Sequence, residues 1–133
     1  MADAVTSQQL LDNDSVIYKF TNVSDGTGES AVTKIDVSGL TTQEKTGKAC
    51  DYLVLESVAF SVTGMSVQIL EDATSDVLIL TLPPDSAGEI YFDDIGGLPN
   101  SKATGYTGDI KFTTQNALSG DTYSITMKFK KKF

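Results

Sequence analysis

The stretch DYLVLESVAFSVTGMSVQILEDATSDVLILTL, from Asp51 to Leu82, decides the fold class of this chain. It is the densest run of β-branched and aliphatic residues, and Val58, Phe60 and Val62 alternate with smaller or polar neighbours. This period of two indicates a strand with one buried face. The alternation changes phase near Glu56–Ser57. A slip of one residue would turn every later side chain to the other face, so we predict a β-bulge there.

Two further features divide the same stretch into separate strands. Gly64 interrupts the apolar pattern and predicts a kink or a tight turn. The polar segment 71–76 predicts a second turn. The run that follows it, Val77–Leu82, is continuously apolar, and we therefore expect it to be buried on both faces.

The rest of the chain adds strands at short intervals. We predict strands at about 15–23 and 30–37, which form a hairpin, and at about 88–92 and 107–114, followed by a last strand in which Tyr123 to Phe129 alternate. About eight or nine strands without a convincing helix predict an all-β fold. The expected architecture is a single-domain antiparallel β-sandwich, with the jelly roll as one form of it. A barrel of about five to seven strands is the alternative.

The two ends of the chain differ from this body. Residues 1–14 are polar apart from two leucines and predict an N-terminal arm with a short helical turn, so that the domain proper is 15–133. The C-terminal tail, Lys128–Phe133, reads KFKKKF. It could guard a sheet edge, contact the acidic face of a neighbouring copy, or anchor the protein to an anionic surface. The first two interpretations are favoured equally over the third.

Charge narrows the range of partners. The formal net charge is −8, every basic residue is Lys, and ten Lys stand against eighteen acidic residues. Four of the ten Lys lie in the tail, so the first 127 residues carry six Lys against eighteen acids, a net charge of −12. An acidic body of this kind argues against a nucleic-acid groove and against an anionic membrane as partner.

The residue types also argue against an enzyme. The chain has no His, and Cys50 is its single cysteine. Catalytic sites of the Ser-His-Asp and Cys-His types therefore cannot form within one chain, nor can a zinc site that needs His. We expect Cys50 to be a small buried or loop residue without chemistry. The sequence predicts a non-catalytic protein without a cofactor.

Acidic clusters and tyrosines leave two binding interpretations open. Carboxylates at 12–14, 71–76 and 93–94 could offer oxygens to Ca²⁺, although Asp in a turn is more often a solvated residue that bonds its own backbone. Tyrosines could form a carbohydrate platform, although such residues are more often half-buried strand residues. The tyrosines concerned are Tyr52, Tyr91, Tyr106 and Tyr123.

Several segments together resemble a known family. The opening MADAVTS of residues 1–7, KFTNVSDGTGES of 19–30, TGDIKFTT of 107–114 and the stretch 65–80 are similar to small virion structural proteins of tailed phages, especially aquatic ones. The resemblance implies a capsid-associated role as a decoration or cement protein. It implies no catalytic residues.

This resemblance sets the functional expectations. The expected partners are the major capsid protein and neighbouring copies in a homotrimer, and the expected location is the capsid surface after synthesis in the host cytoplasm. A carbohydrate-binding module of a tail fibre is the alternative, and a fibre or pilus subunit is a third interpretation. The expected contact residues are Leu10, Leu11, Lys45, Lys48, Ile95, Leu98, Tyr106, Lys128, Lys130, Lys131, Lys132 and Phe133.

Overall fold

The fold consists of nine strands in two antiparallel sheets. The computed structural model describes residues 3–133, apart from the side chain of Asp93. Short 3-10 turns occur at Val37–Gly39 and Asp93–Ile95. The strands are β1 (Ala4–Asp12), β2 (Ser15–Asp25), β3 (Val32–Ile35), β4 (Tyr52–Thr63), β5 (Ser66–Glu71), β6 (Val77–Leu82), β7 (Ser86–Tyr91), β8 (Ile110–Gln115) and β9 (Ser119–Lys132).

The order of the strands is that of a jelly roll. One sheet has five strands in the order β1-β2-β9-β4-β7, and the other has four in the order β3-β8-β5-β6. Without β1, the strands β2 to β9 form two four-stranded sheets, as eight-stranded jelly rolls do. The predicted β-sandwich is confirmed. The first strand, β1, extends one sheet beyond the jelly roll.

The stretch from Asp51 to Leu82 crosses between the two sheets. The predicted bulge is confirmed, because the register of β4 against β9 shifts between Leu55 and Ser57. The predicted turn is also confirmed: Gly64 has a φ of 85° and carries the chain from β4 in the larger sheet to β5 in the smaller one.

The core lies between the sheets and contains a line of aromatic rings. Phe20 on β2 packs edge to face on Phe112 of β8, with ring centroids 5.0 Å apart, and Phe112 packs in the same way on Tyr123 of β9 at 5.8 Å. The alternation predicted for the last strand is confirmed, since Tyr123, Ile125, Met127 and Phe129 are all buried.

Two expectations about the strands are wrong. The run Val77–Leu82 forms β6, an edge strand of the smaller sheet, and Leu78 is 50% exposed. The run is therefore not buried on both faces, because among residues 3–133 only the inner face of the smaller sheet is covered by another sheet. The expected hairpin between the second and third strands does not form either. Strand β3 pairs with β8 in the opposite sheet, where Val32 lies across from Phe112.

The N-terminal segment is a strand rather than an arm. Residues 4–12 pair along β2, from Ala4 opposite Val23 to Asp12 opposite Val16. Residues 1 and 2 of the expected arm lie outside the described residues. The expected helical turn is absent from the described part of this segment, because its residues have the extended backbone of a strand paired with β2.

The lysine-rich tail is also part of the sheet. Strand β9 runs to Lys132 and lies between β2 and β4, in the centre of the five-stranded sheet. Lys131 is buried, with an exposed fraction of 3%. The interpretation of the tail as the guard of a sheet edge is therefore wrong, because β9 has a neighbouring strand on both sides.

Candidate docking face

The outer face of the five-stranded sheet turns away from the core and carries small hydroxyl-bearing residues. Along β9, residues 122, 124 and 126 point outward while their neighbours are buried. On the neighbouring strand β4, Ser61 lies opposite Ser124 and Ala59 lies opposite Thr126. Further along, Ser57 lies opposite Lys128. Small side chains leave the surface flat along β9 and β4, while Lys19 lies to one side, opposite Thr126, and Glu89 to the other, opposite Ala59. A flat strip of this kind suits contact with another protein surface.

A row of lysines lies at one end of this face. Lys128, Lys130 and Lys132, here called the lysine row, are exposed, and they alternate with the buried residues Phe129 and Lys131. Because every second residue of a strand points to the same side, the three ammonium groups share the outer face. Among the described side chains, the row has one ion pair, between Glu56 and the Lys128 ammonium nitrogen at 3.9 Å. The row therefore concentrates positive charge on a protein that is otherwise acidic.

The lysine row borders a chain of shallow grooves. A groove of about 390 Å³ lies beside it, against Ser15, Val54 and the backbone of Gly96–Gly97. A second groove of about 210 Å³ shares Lys128 with the first and is more apolar, with Ile17 and Tyr91 among its lining residues. The grooves and the flat surface together form the docking face.

Glycine makes the wall of the first groove. Gly97 has a φ of 96°, and a Cβ atom at this position would lie 2.4 Å from Cγ1 of Val54. Only a residue without a side chain lets the loop after β7 lie so close to the sheet. The loop then returns to the sheet at Leu98, which exchanges backbone hydrogen bonds with Leu55 at 2.8 and 2.9 Å.

Lys131 points to the opposite side and has a structural role. Its ammonium group forms an ion pair with Asp12 and donates hydrogen bonds to the backbone oxygen and hydroxyl of Thr41, at 2.9 and 2.8 Å. Burial by itself would raise the pKa of Asp12, but the hydrogen bonds from Lys131 and Thr41 outweigh it, and the pKa lies below the ordinary value. Lys131 thus joins β9 to the end of β1 and is not available to a partner.

The remaining expected contact residues are dispersed. Ile95 is 68% exposed, near the glycines of the first groove. Leu10 and Leu11 lie on β1, at the edge of the sheet. Lys45 and Lys48 are exposed in the loop before β4. The structure therefore brings Lys128, Lys130, Lys132 and the Ile95 loop together. Leu11 lies next to this group, opposite Ile17 of the second groove, whereas Leu10, Lys45 and Lys48 line neither groove.

Two further expected contact residues are less accessible. Tyr106 donates a hydrogen bond to Asp51 at 3.0 Å, and its side chain is only half-exposed. Phe133 is partly buried and packs against the core.

The tyrosines do not form one platform. Tyr123 is buried in the core, and its hydroxyl donates to Glu29 at 2.6 Å. Tyr52 lies under the ammonium group of Lys102, 4.7 Å from the ring centroid, close to the end of the sheet where Tyr106 lies. Tyr91 alone is strongly exposed, and it lies further along the sheet opposite Ser57.

The acidic cluster at 71–76 is engaged in contacts within the chain. Asp72 and Asp76 both pair with Lys111. Glu71 accepts hydrogen bonds from the backbone and hydroxyl of Ser101, at 3.1 and 2.7 Å. In the part of the chain that the structure describes, no group of three or more acidic or cysteine side chains could hold a metal ion.

Cys50 lies where the sequence placed it. It is buried, and burial raises the pKa of its thiol above the ordinary value, so the thiol stays protonated near neutral pH.

Across residues 3–133, no helix has the length and apolar character of a membrane span.

Comparisons with protein-family models, curated proteins and solved structures found no match to the chain. The assignment of the docking face therefore depends on the geometry of the structure.

Sequence reasoning identified the lysines, and named Tyr91 only as a possible carbohydrate contact, but it missed Ile17 and Ala59. Their outward direction can be read from alternation, whereas their proximity depends on the pairing of β4 with β7 and β9.

Proposed function

We propose that the protein is a virion structural protein of a tailed phage, a decoration or cement protein that binds the shell of major capsid protein. The observation that carries the proposal is the lysine row on a flat, hydroxyl-rich sheet face of an otherwise acidic molecule. A concentrated positive patch selects an acidic partner surface and orients the approach to it. The sequence resemblance supplies the capsid as the partner.

The fold supports this role without specifying it. Jelly rolls build viral capsid proteins and lectins, but a fold alone does not define a function. A protein that acts by adhesion needs a rigid scaffold and a presented surface, and a twisted five-stranded sheet supplies both. The proposed location is the capsid surface. Contact with neighbouring copies belongs to the same proposal, with a homotrimer as the sequence-based expectation.

Charge reversal in the lysine row tests the proposal. The double substitution Lys130→Glu, Lys132→Glu leaves the Lys128–Glu56 pair intact. It changes the net charge from −8 to −12, because each substitution replaces a positive charge with a negative one. We expect it to weaken binding to capsids, assembled from the major capsid protein of the same genome, by about tenfold or more. Co-sedimentation at low ionic strength measures the effect, and added salt should weaken wild-type binding as well.

The loop lysines provide the matched control. Lys45→Glu, Lys48→Glu makes the same change of net charge on exposed side chains that line neither groove of the docking face. We expect this variant to bind like the wild type. Equal weakening by both variants would show an effect of overall charge, and a wild-type protein that does not bind the capsids would refute the proposed function.

Carbohydrate binding remains a second candidate, and one feature favours it. Tyr91 is 63% exposed at the apolar groove, and its hydroxyl bonds Glu89, so an aromatic ring and a carboxylate lie side by side. Sugars commonly stack on such rings. On a glycan array, binding that is lost in Tyr91→Ala and kept in Lys130→Glu, Lys132→Glu would support this candidate, and no glycan bound by the wild type would exclude it.

A further inference from the structure

The four edge strands of the two sheets differ in how well they are protected. Natural edges avoid pairing with other chains by being short, by carrying charges or Pro, or by being covered. Strand β3 has only four residues and contains Lys34. Strand β7 carries Glu89 in its second half. Strand β6 has six residues and is followed directly by Pro83–Pro84, whose nitrogens cannot donate hydrogen bonds.

Strand β1 has almost none of these protections. It is nine residues long, or about 30 Å at the usual rise per residue, and Ala4–Leu11 contains no charged side chain. A register shift between Gln9 and Leu11 affects only its last part, so that Ala4–Gln9 pairs regularly with β2. Its other edge pairs with no strand among residues 3–133.

The strand is also held rigidly at both ends. At its start, the carboxylate of Asp3 accepts hydrogen bonds from the backbone of Asp25 and Gly28, at 3.1 and 3.3 Å, and from the amide of Asn22 at 3.2 Å. At its end, Asp12 forms the ion pair with Lys131. The backbone groups of β1 are therefore presented in a fixed, extended conformation, which lowers the entropy cost of adding another strand.

Exposure extends to both faces of β1. Because the larger sheet has one strand more than the smaller one, β1 overhangs the sandwich, and every residue from Ala4 to Leu11 is exposed. Three of them are large hydrophobic residues, namely Val5 at 45%, Leu10 at 50% and Leu11 at 36%. They lie at the two ends of the strand, with the polar residues 6–9 between them.

We infer that β1 pairs antiparallel with β1 of a second copy of this chain, so that two sandwiches share one continuous ten-stranded sheet. Antiparallel alignment of the same strand places the Val5 end of one copy beside the leucine end of the other, and polar residues beside polar residues. Because Ala4–Leu11 carries no charge and Asp12 is paired with the buried Lys131, two acidic molecules can meet along β1 without bringing unpaired like charges together. The inference does not depend on capsid binding, and it replaces the sequence-based expectation of a homotrimer with a dimer.

The symmetry of this contact is twofold. The same surface is used on both copies, so the interface closes on itself and stops at two. A trimer would instead need contacts between different surfaces, such as β1 with β7. In the twofold dimer both docking faces lie on the same side of the joined sheet.

Substitution by lysine in the middle of the strand tests the inference. Ser7 is exposed and lies near the centre of β1, so Ser7→Lys would bring two ammonium groups close together across the twofold axis. Thr81→Lys is the matched control, an exposed position on the uncharged edge strand β6. Light scattering after size-exclusion chromatography measures the mass of each, and circular dichroism verifies that both are folded.

We expect a wild-type mass of twice 14.2 kDa at about 100 μM, a mass of 14.2 kDa for Ser7→Lys, and the dimer mass for Thr81→Lys. A monomeric or trimeric wild type would overturn the inference. A dimer that survives Ser7→Lys, or one that Thr81→Lys dissociates, would also overturn it.

Cross-linking provides a second, independent measurement. In a Cys50→Ser background, a cysteine introduced by Ser7→Cys should form an intermolecular disulfide under mild oxidation, whereas one introduced by Thr81→Cys should not. Cross-linking at position 81 and none at position 7 would place the interface on β6 and refute the proposed pairing.

Discussion

Two buried ion pairs take part in contacts between segments that are far apart in sequence. Lys131 joins the last strand to Asp12 at the end of the first. Glu29 pairs with Lys34 and also accepts the hydroxyl of Tyr123, so it links the loop before β3 to the core. Charges buried in this way are costly unless each has a partner, so the loss of one member leaves the other unsatisfied.

Asp12 offers the clearest test of this view. We expect Asp12→Asn to lower the free energy of unfolding by roughly 2–4 kcal/mol at neutral pH, because Lys131 would keep its charge without a counter-charge. The exposed neighbour Asp14 is the control, and Asp14→Asn should change stability by less than about 0.5 kcal/mol. Chemical denaturation measures both.

The same residue predicts how stability depends on pH. The pKa of Asp12 in the folded protein lies below its ordinary 3.8, so the carboxylate contributes stability above that pH and loses it as the pH falls through the folded-state value. The difference between wild type and Asp12→Asn should therefore shrink in acid. A difference that is the same at neutral pH and in strong acid would contradict the role assigned to the ion pair.

Among the strands and loops, close contacts set which positions must be glycine. Gly108 and Gly120 have nearly the same φ, 88° and 92°. A Cβ atom on Gly108 would lie 2.2 Å from the backbone oxygen of Asp51, whereas one on Gly120 would have no atom within 4 Å. The two positions share the conformational demand and differ in the space around them.

Substitution of these two glycines separates the cost of backbone strain from the cost of a steric clash. We expect Gly120→Ala to cost roughly 1–2 kcal/mol from backbone strain, and Gly108→Ala roughly 3 kcal/mol or more, because the backbone of Asp51 cannot yield as a flexible side chain can. Thermal denaturation compares the two variants under identical conditions. Equal losses would mean that the loop before β8 moves away from Asp51 at little cost.

In the whole molecule, the final strand completes the sheet. Strand β9 lies between β2 and β4, and it supplies Phe129 and Lys131 to the interior. Because a β-sandwich depends on contacts between residues distant in sequence, the larger sheet cannot form until the end of the chain is available.

Removal of residues 128–133 should therefore prevent cooperative folding. The loss of a buried Phe side chain alone costs about 3–5 kcal/mol, a large share of the stability of a typical domain. Circular dichroism and a denaturation curve would show this. The Lys130→Glu, Lys132→Glu variant keeps the backbone and the buried residues and should unfold with a normal cooperative transition. A truncated protein that unfolds with the same transition would contradict the central role of β9.

The sequence by itself determined the all-β class, the strands on either side of Gly64, the bulge after Leu55 and the inward residues of the last strand. These features are local, because side-chain alternation and backbone conformation follow from neighbouring residues. Only the tertiary structure decided which strands are central and which lie at an edge. For that reason the apolar run Val77–Leu82 is only partly buried, the polar N-terminal segment is a strand, and the lysine-rich end lies in the centre of a sheet. The position of a strand in a sheet depends on pairing between segments distant in sequence, so it cannot be predicted from the local pattern of residues.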